Sequence, residues 1–241
     1  MYHREKADFC IKIAQILKQY GIRTDLESGE ISYYRQPVLK VECKDLYFLR
    51  HGETEGIVQH CFMSNDSLNS VLTERGICQL VKEAGKIEQL DLDKVLYSVI
   101  PRVKRTAEII YSNMKKKPCF LEIPWVIGID NTGWEGKRRE ELKGIDANDF
   151  DQRENRHNIF AKSSKGASWG RVLLCCISLI KYLNKNFAGE RVLLISQGSI
   201  LVGLQLILQV DKKPWATYNS NNFFCLEDDG EMNYGRLQKL C

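Results

Sequence analysis

The feature that most constrains the fold is a regular alternation of two apolar patterns from residue 45 onward. Short continuous apolar runs of strand length alternate with longer runs whose apolar positions recur at helical spacing. This alternation predicts an α/β fold, a three-layer αβα sandwich around a mainly parallel central sheet. The predicted strands cover 45–50, 94–98, 120–124 and 191–196, with two weaker ones near 222–227 and 233–238, and the predicted helices cover 73–88, 102–115, 168–187 and 199–208.

Residues 1–44 lie outside that alternation and are interpreted as a small helix-plus-hairpin appendage, with residues 45–241 as the main α/β domain. The segment 5–20 carries apolar residues on one helical face. This helix is a candidate for a contact with a protein partner or with a second copy of the chain; the alternative is that it packs on its own domain. Short β-like runs follow near 22–26, 31–34 and 38–41.

The composition of the 241 residues excludes several classes of protein. The net charge of +4 fits an anionic small molecule and does not demand nucleic acid. The basic cluster 115–117 has no aromatic platform beside it and is interpreted as a solvated helix end. No apolar stretch reaches the roughly 20 residues that a membrane helix needs. The first residues do not form a signal peptide, and nine scattered cysteines without a C-x-x-C pattern favour a reducing, cytoplasmic setting.

Polar residues follow three of the predicted strands at the carboxyl ends, where open α/β sheets bind their ligands. The first strand of the main domain ends in Arg50-His51-Gly52, and the late strand runs into Ser196–Gly198. Arg50 can hold two phosphate oxygens, and His51 can attack phosphorus through a ring nitrogen. Gly52 has no side chain to obstruct a phosphate. The pattern therefore predicts a phosphate site that contains a nucleophile.

The order of the motifs resembles that of the histidine phosphatase superfamily, the phosphoglycerate-mutase-like proteins. The resemblance spans residues 45–226 and leaves residues 1–44 outside it. It is carried by Leu49–Thr54 (LRHGET), Leu72–Gly76 (LTERG) with Gln79, Tyr97–Ala107 (YSVIPRVKRTA), Gly133–Gly136 (GWEG) and Val192–Ser199 (VLLISQGS).

The resemblance implies a reaction through a phosphorylated histidine, surrounded by two arginines, a second histidine and an acidic proton donor. In this sequence His51 takes the place of the nucleophile, and Arg50 and Arg102 take the places of the phosphate-binding arginines. Thr54 and Gly198 are expected to add contacts to the phosphate. No cofactor and no metal ion is expected.

Four departures from the family pattern fall in the expected site. Gln197 stands where the family has its second histidine; it can still donate a hydrogen bond to the phosphate, but the site loses a cation there. Gly128 stands where the family has its proton donor, and Asp130, two residues away, is the candidate replacement. Ile57 and Cys61 replace an asparagine and an arginine of the family's pocket wall. These departures predict a degraded catalytic set on a retained fold.

Two further segments are assigned to support rather than to chemistry. Trp134 and Glu135 of the GWEG motif are expected to hold the loop beneath the site. The polar stretch 144–167, which includes Ser163–Gly166, is interpreted as a mobile cover over one end of the sheet.

Three functions compete on this basis. The first is a divergent phosphatase or phosphotransferase that acts on a phosphorylated small molecule through phospho-His51, with activity weakened by Gln197 and Gly128. The second is an inactive pseudophosphatase that binds a phosphorylated ligand or a protein partner. The third is a biosynthetic enzyme that uses the site for other chemistry.

Overall fold

The computed structural model describes residues 2–66, 70–145, 147, 150–151, 158–160, 163, 166–208 and 237–239. The strands are β1 (Ile22–Thr24), β2 (Ile31–Tyr33), β3 (Asp45–Arg50), β4 (Lys94–Ser98), β5 (Cys119–Ile123), β6 (Arg191–Ser196) and β7 (Leu237–Lys239). The helices are α1 (Tyr2–Gln19), α2 (Glu55–Val58), α3 (Glu74–Glu88), α4 (Pro101–Asn113), α5 (Arg139–Ile145), α6 (Trp169–Phe187) and α7 (Gly198–Leu208).

The central sheet has the strand order β5-β4-β6-β3-β7. The first four of these strands are mutually parallel, and β7 pairs antiparallel with β3 at one edge. The predicted α/β class and mainly parallel sheet are confirmed, with strand boundaries within one residue for β3 to β6. The weak strand expected near 222–227 lies outside the described residues, and the one expected near 233–238 overlaps β7 only in part.

Each face of the sheet is buried by its own set of helices. Consecutive residues of one strand, such as Phe48 and Leu49 of β3, belong to different apolar clusters on opposite faces. Helices α1, α6 and α7 contribute to the cluster that contains Phe48, whereas α3 and α4 contribute to the one that contains Leu49. The two clusters are the two interfaces of a three-layer sandwich.

The N-terminal segment shares the core of the main domain. Ile13 and Leu17 of α1 and Ile22 of β1 are buried in the same cluster as α6. Gly170 allows this approach, because a β-carbon there would lie 3.0 Å from Ile13 Cδ1. The strands β1 and β2 form the expected antiparallel hairpin.

The strand-like run at 38–41 was a wrong prediction, because these residues belong to no strand of the described chain. The side chain of Asn184 on α6 bonds it instead: Nδ2 donates to Lys40 O at 2.8 Å, and Oδ1 accepts from Glu42 N at 2.9 Å. A single amide thus satisfies the backbone groups that a neighbouring strand would otherwise pair.

Parts of the polar stretch 144–167 are anchored rather than free. Phe150 is buried against Phe62 and Trp134, and Ile159 is fully buried in the main core. The Ile159 N–H donates to Gly29 O at 3.1 Å. Within the described residues, no helix has the length and apolar character to cross a membrane.

Candidate active site

The sheet order brings two of the predicted motifs together at the carboxyl edge. Strand β3 lies beside β6, with Arg50 in register with Ser196. The His51 N–H extends this pairing by donating to Ser196 O at 3.1 Å. The residues after the two strands, His51 and Gln197, are therefore held at neighbouring positions by backbone pairing.

His51 is buried, and its ring is oriented by the adjacent backbone. Its Nδ1 lies 2.8 Å from the carbonyl oxygen of Gly52. A carbonyl oxygen only accepts hydrogen bonds, so Nδ1 carries the proton and Nε2 keeps its lone pair. The Nε of Arg102 lies 3.3 Å from that Nε2. This is the tautomer that a nucleophilic imidazole requires.

Burial lowers the pKa of His51 well below its usual 6.5, and the charges of Arg102 and Arg50 lower this pKa further. The hydrogen bond to the Gly52 carbonyl acts in the opposite direction. The pKa shift keeps the ring neutral at pH 7, so a cation-lined pocket surrounds an uncharged nucleophile. Such a pocket favours an anionic ligand.

Arg102 is a buried cation with several ties to the site. Its pKa falls to about 10, chiefly through burial and then through the Arg50 charge, so it stays protonated at neutral pH. Asp130 and Glu135 act in the opposite direction on this pKa. One terminal nitrogen of the guanidinium donates to Ser64 O at 3.2 Å and to Ser70 Oγ at 3.0 Å.

The backbone at Gly52 is fixed from α4. Thr106 Oγ1 accepts the Gly52 N–H at 3.0 Å and donates to Arg102 O at 2.7 Å. A β-carbon on Gly52 would lie 2.9 Å from Leu80 Cδ1. The missing side chain of Gly52 therefore leaves room for Leu80. The sequence interpretation gave that room to a phosphate instead.

The RHGET and LTERG motifs are joined by Glu53. Its carboxylate accepts from Thr73 Oγ1 at 2.7 Å and from Arg75 Nε at 3.1 Å, and it pairs with a terminal nitrogen of Arg75. The Arg75 hydrogen bond lowers the pKa of Glu53 more than any other contact. A β-carbon at Gly76 would lie 2.7 Å from the Glu53 carbonyl oxygen. The contacts of Glu53 thus hold the two motifs together next to His51.

The side chain of Gln197 is bonded within the protein at both ends. Its Oε1 accepts from Gly128 N at 2.7 Å, and its Nε2 donates to Asn65 Oδ1 at 2.9 Å. A backbone N–H is a donor only, which fixes the orientation of the amide. Ser199 adds a second tie to the same loop by accepting from Ile129 N at 2.9 Å.

A side chain at Gly128 would require Gln197 and Ser199 to move. A β-carbon there would lie 2.7 Å from Gln197 Oε1 and closer still to Ser199 Oγ. The glycine and its two polar neighbours therefore form one packed unit, which we call the Gln197 latch (Gly128, Gln197, Ser199).

The two acidic residues of the neighbouring loop hold the segment that covers Arg102. Asp130 accepts from Asn65 N at 3.3 Å through Oδ1 and from Thr132 Oγ1 at 2.6 Å through Oδ2. Glu135 accepts from Ser64 Oγ at 2.6 Å. Both carboxylates are thus tied to hydroxyl or backbone donors of the site's own loops.

Comparison with known proteins agrees with the family that the sequence motifs resemble. The family model of the histidine phosphatase superfamily, branch 1, matches residues 46–223. The chain belongs to the histidine phosphatase superfamily. A mannitol-1-phosphatase of Eimeria tenella is 26% identical over 140 residues, which cover 55% of this chain and 45% of that protein. The chain thus spans less than half the length of this curated relative.

Solved structures of this superfamily share the fold. A mycobacterial glucosyl-3-phosphoglycerate phosphatase in complex with VO3 is 18% identical, with a TM-score of 0.61 over 81% of this chain and 90% of that one. The α-ribazole phosphatase of Shigella flexneri is 22% identical, with a TM-score of 0.59 over 72% and 82%. A phosphoserine phosphatase of Entamoeba histolytica is 20% identical, with a TM-score of 0.60 over 81% and 89%. At these identities the likeness establishes the fold alone.

The remaining sequence-predicted residues of this histidine phosphatase homologue occupy different surroundings. Thr54 is fully buried, and its Oγ1 donates to Met63 Sδ at 3.3 Å. Gly198 is the buried first residue of α7. Cys61 pairs its backbone with Arg138, and its Sγ donates to Gln59 O at 3.5 Å. Trp134 is buried, as expected for a structural residue.

Several residues at the site were not identified from the sequence. They bond the predicted residues directly: Ser64, Asn65, Ser70, Thr106 and Ser199. Thr106 and Ser199 lie inside quoted motifs and could have been assigned roles there. Ser64, Asn65 and Ser70 lie in a segment with no periodic pattern, and only the fold brings them to the site.

Proposed function

We propose that the chain transfers phosphoryl groups from a phosphorylated small molecule through phospho-His51, by hydrolysis or by transfer to an acceptor. The observation that carries this proposal is the state of the His51 ring. Its Nδ1 bonds the Gly52 carbonyl, and its Nε2 lies 3.3 Å from Arg102 Nε. A neutral, oriented nucleophile beside two cations is what an attack on a phosphate needs.

The reaction proceeds in two steps. His51 Nε2 attacks phosphorus, an N–P bond forms, and the bond from phosphorus to the leaving oxygen breaks. Water then attacks phosphorus, the N–P bond breaks, inorganic phosphate leaves and a proton passes to solvent. Arg50 and Arg102 neutralise the phosphate oxygens throughout, since phosphoryl transfer depends mainly on positioning and charge stabilisation.

The named relatives support a phosphorylated small molecule as the substrate. They comprise a mannitol-1-phosphatase, a glucosyl-3-phosphoglycerate phosphatase and an α-ribazole phosphatase, each named for a phosphate ester of a small polyol, sugar or nucleoside. The proposal takes the common reaction, not any one of these substrates, as the function of this chain.

The Gln197 latch favours a second candidate function. Gln197 directs its carbonyl oxygen to Gly128 N and one of its two amide N–H groups to Asn65 Oδ1, and it carries no positive charge. A site without a cation at this position can bind a phosphorylated ligand without turning it over. This is the pseudophosphatase alternative, in which the protein senses a phosphorylated metabolite or a phosphorylated partner.

A phosphatase panel on matched histidine variants separates the two functions. His60 is an exposed histidine with φ of 56°, a left-handed conformation that asparagine tolerates, so His60→Asn is the control for His51→Asn. The proposed function requires turnover in the wild type and in His60→Asn, and its loss in His51→Asn. Saturable binding of phosphate esters without turnover above background in all three proteins would establish the pseudophosphatase instead.

A further inference from the structure

The place that the resemblance assigns to the leaving-group acid is closed in this protein. A side chain at Gly128 would overlap both other members of the Gln197 latch, because the closest approach to Gln197 Oε1 would be 2.7 Å. Gln197 and Ser199 further bond the N–H groups of Gly128 and Ile129. An acidic side chain at this position would therefore have to displace Gln197 Oε1 and Ser199 Oγ from these hydrogen bonds.

The nearby carboxylates are held by hydrogen bonds from neighbouring protein groups. Both oxygens of Asp130 accept hydrogen bonds, from Asn65 N and Thr132 Oγ1, and Asp130 raises the pKa of Arg102. Glu135 accepts from Ser64. Glu53 is bonded by Thr73 and Arg75 behind His51. Within the part of the chain that the structure describes, each acidic residue with a contact to the site's loops thus acts as a hydrogen-bond acceptor.

From these contacts we infer that the site uses phosphoryl donors whose leaving group departs without a proton: acyl phosphates and phosphoanhydrides. The inference rests on the proposed reaction through phospho-His51 and specifies its substrate class. In the first step His51 Nε2 forms the N–P bond, the P–O bond breaks, and its electron pair leaves on a carboxylate or a phosphate. No acid is needed, because a carboxylate has a conjugate acid with a pKa near 4.

Alkyl phosphates are the substrates that this site handles poorly. Their leaving group is an alkoxide, whose departure is normally assisted by a general acid worth about 10² to 10⁴-fold in rate. The two arginines carry the charge that stabilises the transferred phosphoryl group, and Arg102 lies on the side of the nucleophile, with its Nε 3.3 Å from His51 Nε2. The latch thereby selects the substrate by its leaving group.

A leaving-group series tests the inference. The probes are acetyl phosphate, a nitrophenyl phosphate, phenyl phosphate and glycerol phosphate, each measured as kcat/KM on the full chain and on His51→Asn. We expect kcat/KM to fall by at least about a hundredfold from acetyl phosphate to phenyl phosphate, and further to glycerol phosphate. Values within about tenfold across the series, all lost in His51→Asn, would overturn the inference and leave the proposed function standing.

Failure of the proposed function gives a different result. If acetyl phosphate is not turned over, or is turned over equally by His51→Asn, both the reaction through phospho-His51 and the inference that rests on it are wrong.

An Asp130→Asn variant gives a second, independent readout, with the exposed Asp8→Asn as its matched control. If Asp130 supports Arg102 and the covering loop, the substitution lowers kcat/KM for acetyl phosphate and phenyl phosphate by the same factor. If Asp130 is the proton donor, phenyl phosphate loses at least about tenfold more than acetyl phosphate, which would overturn the inference.

Discussion

The two sides of the active site differ in what their hydrogen bonds serve. On the His51 side, Gly52 and Thr106 orient the ring and leave Nε2 directed at Arg102. On the side of the Gln197 latch, the polar groups bond one another and the loop at Gly128. The first side holds a nucleophile next to a cation, which suits a phosphate, whereas the polar groups of the second side bond one another.

The two sides also differ in how closely they are tied to the rest of the fold. The His51 side is built into motifs that also hold the fold, since Glu53 joins RHGET to LTERG and Gly52 packs on Leu80. Change there would disturb packing as well as chemistry. On the latch side, Gly128 and Gln197 lie on loops, and Ser199 lies in the first turn of α7.

Loss of the cation on the His51 side should have the largest effect. We expect Arg102→Gln to lower kcat/KM by about 10² to 10³-fold, because the charge that stabilises the phosphoryl group is removed. Arg105→Gln is the matched control, since Arg105 is exposed and pairs only with Glu108 in the contacts seen, at 3.1 Å. Equal activity of the two variants would show that Arg102 does not bind the phosphate.

A methyl group added inside the latch should destabilise the fold moderately. Gly128→Ala is expected to lower the free energy of unfolding by about 1–3 kcal/mol, because its β-carbon overlaps Gln197 Oε1 and Ser199 Oγ. The control is Gly85→Ala on α3, where a β-carbon meets nothing within 4 Å, so this change should stabilise by up to about 1 kcal/mol. Urea denaturation measures both. A neutral Gly128→Ala would mean that the latch is open in solution.

The pH dependence of stability gives the smallest effect and isolates His51. Above about pH 6.5 the ring is neutral in both the folded and the unfolded state. As the pH falls below 6.5, the unfolded state takes up a proton that the folded state refuses, because the folded pKa is lowered. The free energy of unfolding should therefore fall by as much as about 1.4 kcal/mol per pH unit until the folded pKa is reached.

The matched histidine variants show whether His51 causes the pH dependence of the free energy of unfolding. Denaturation at pH 7.5, 6.5 and 5.5 should show a smaller slope in His51→Asn than in the wild type, whereas His60→Asn should keep the wild-type slope. Identical slopes in all three proteins would show that His51 titrates normally, and the surroundings described for it would then be wrong.

The elements of the fold were largely predictable, and the contacts of the site were predictable only in part. Strands β3 to β6 follow from apolar runs, which report burial directly. The run at 38–41 misled because periodicity cannot show that the side chain of Asn184, far along the chain, would take the place of a strand.

The departure at Gln197 is visible in the sequence, but its consequence is not. The partners of Gln197 are a backbone N–H at Gly128 and an amide at Asn65, which are 69 and 132 residues away in the chain. Such contacts depend on loop geometry and leave no pattern in composition or spacing. For the same reason the sequence offered Asp130 as a proton donor without showing its hydrogen bonds to Asn65 and Thr132.

The most direct test of the account is detection of phosphate on His51. The protein is mixed with acetyl phosphate, quenched in alkali, digested and examined by mass spectrometry of the peptide that contains His51, because phosphohistidine survives alkali and is lost in acid. The account predicts an alkali-stable, acid-labile phosphate on His51 that is present in His60→Asn and missing from His51→Asn. Turnover of acetyl phosphate with no phosphate on His51 at any quench time would contradict it.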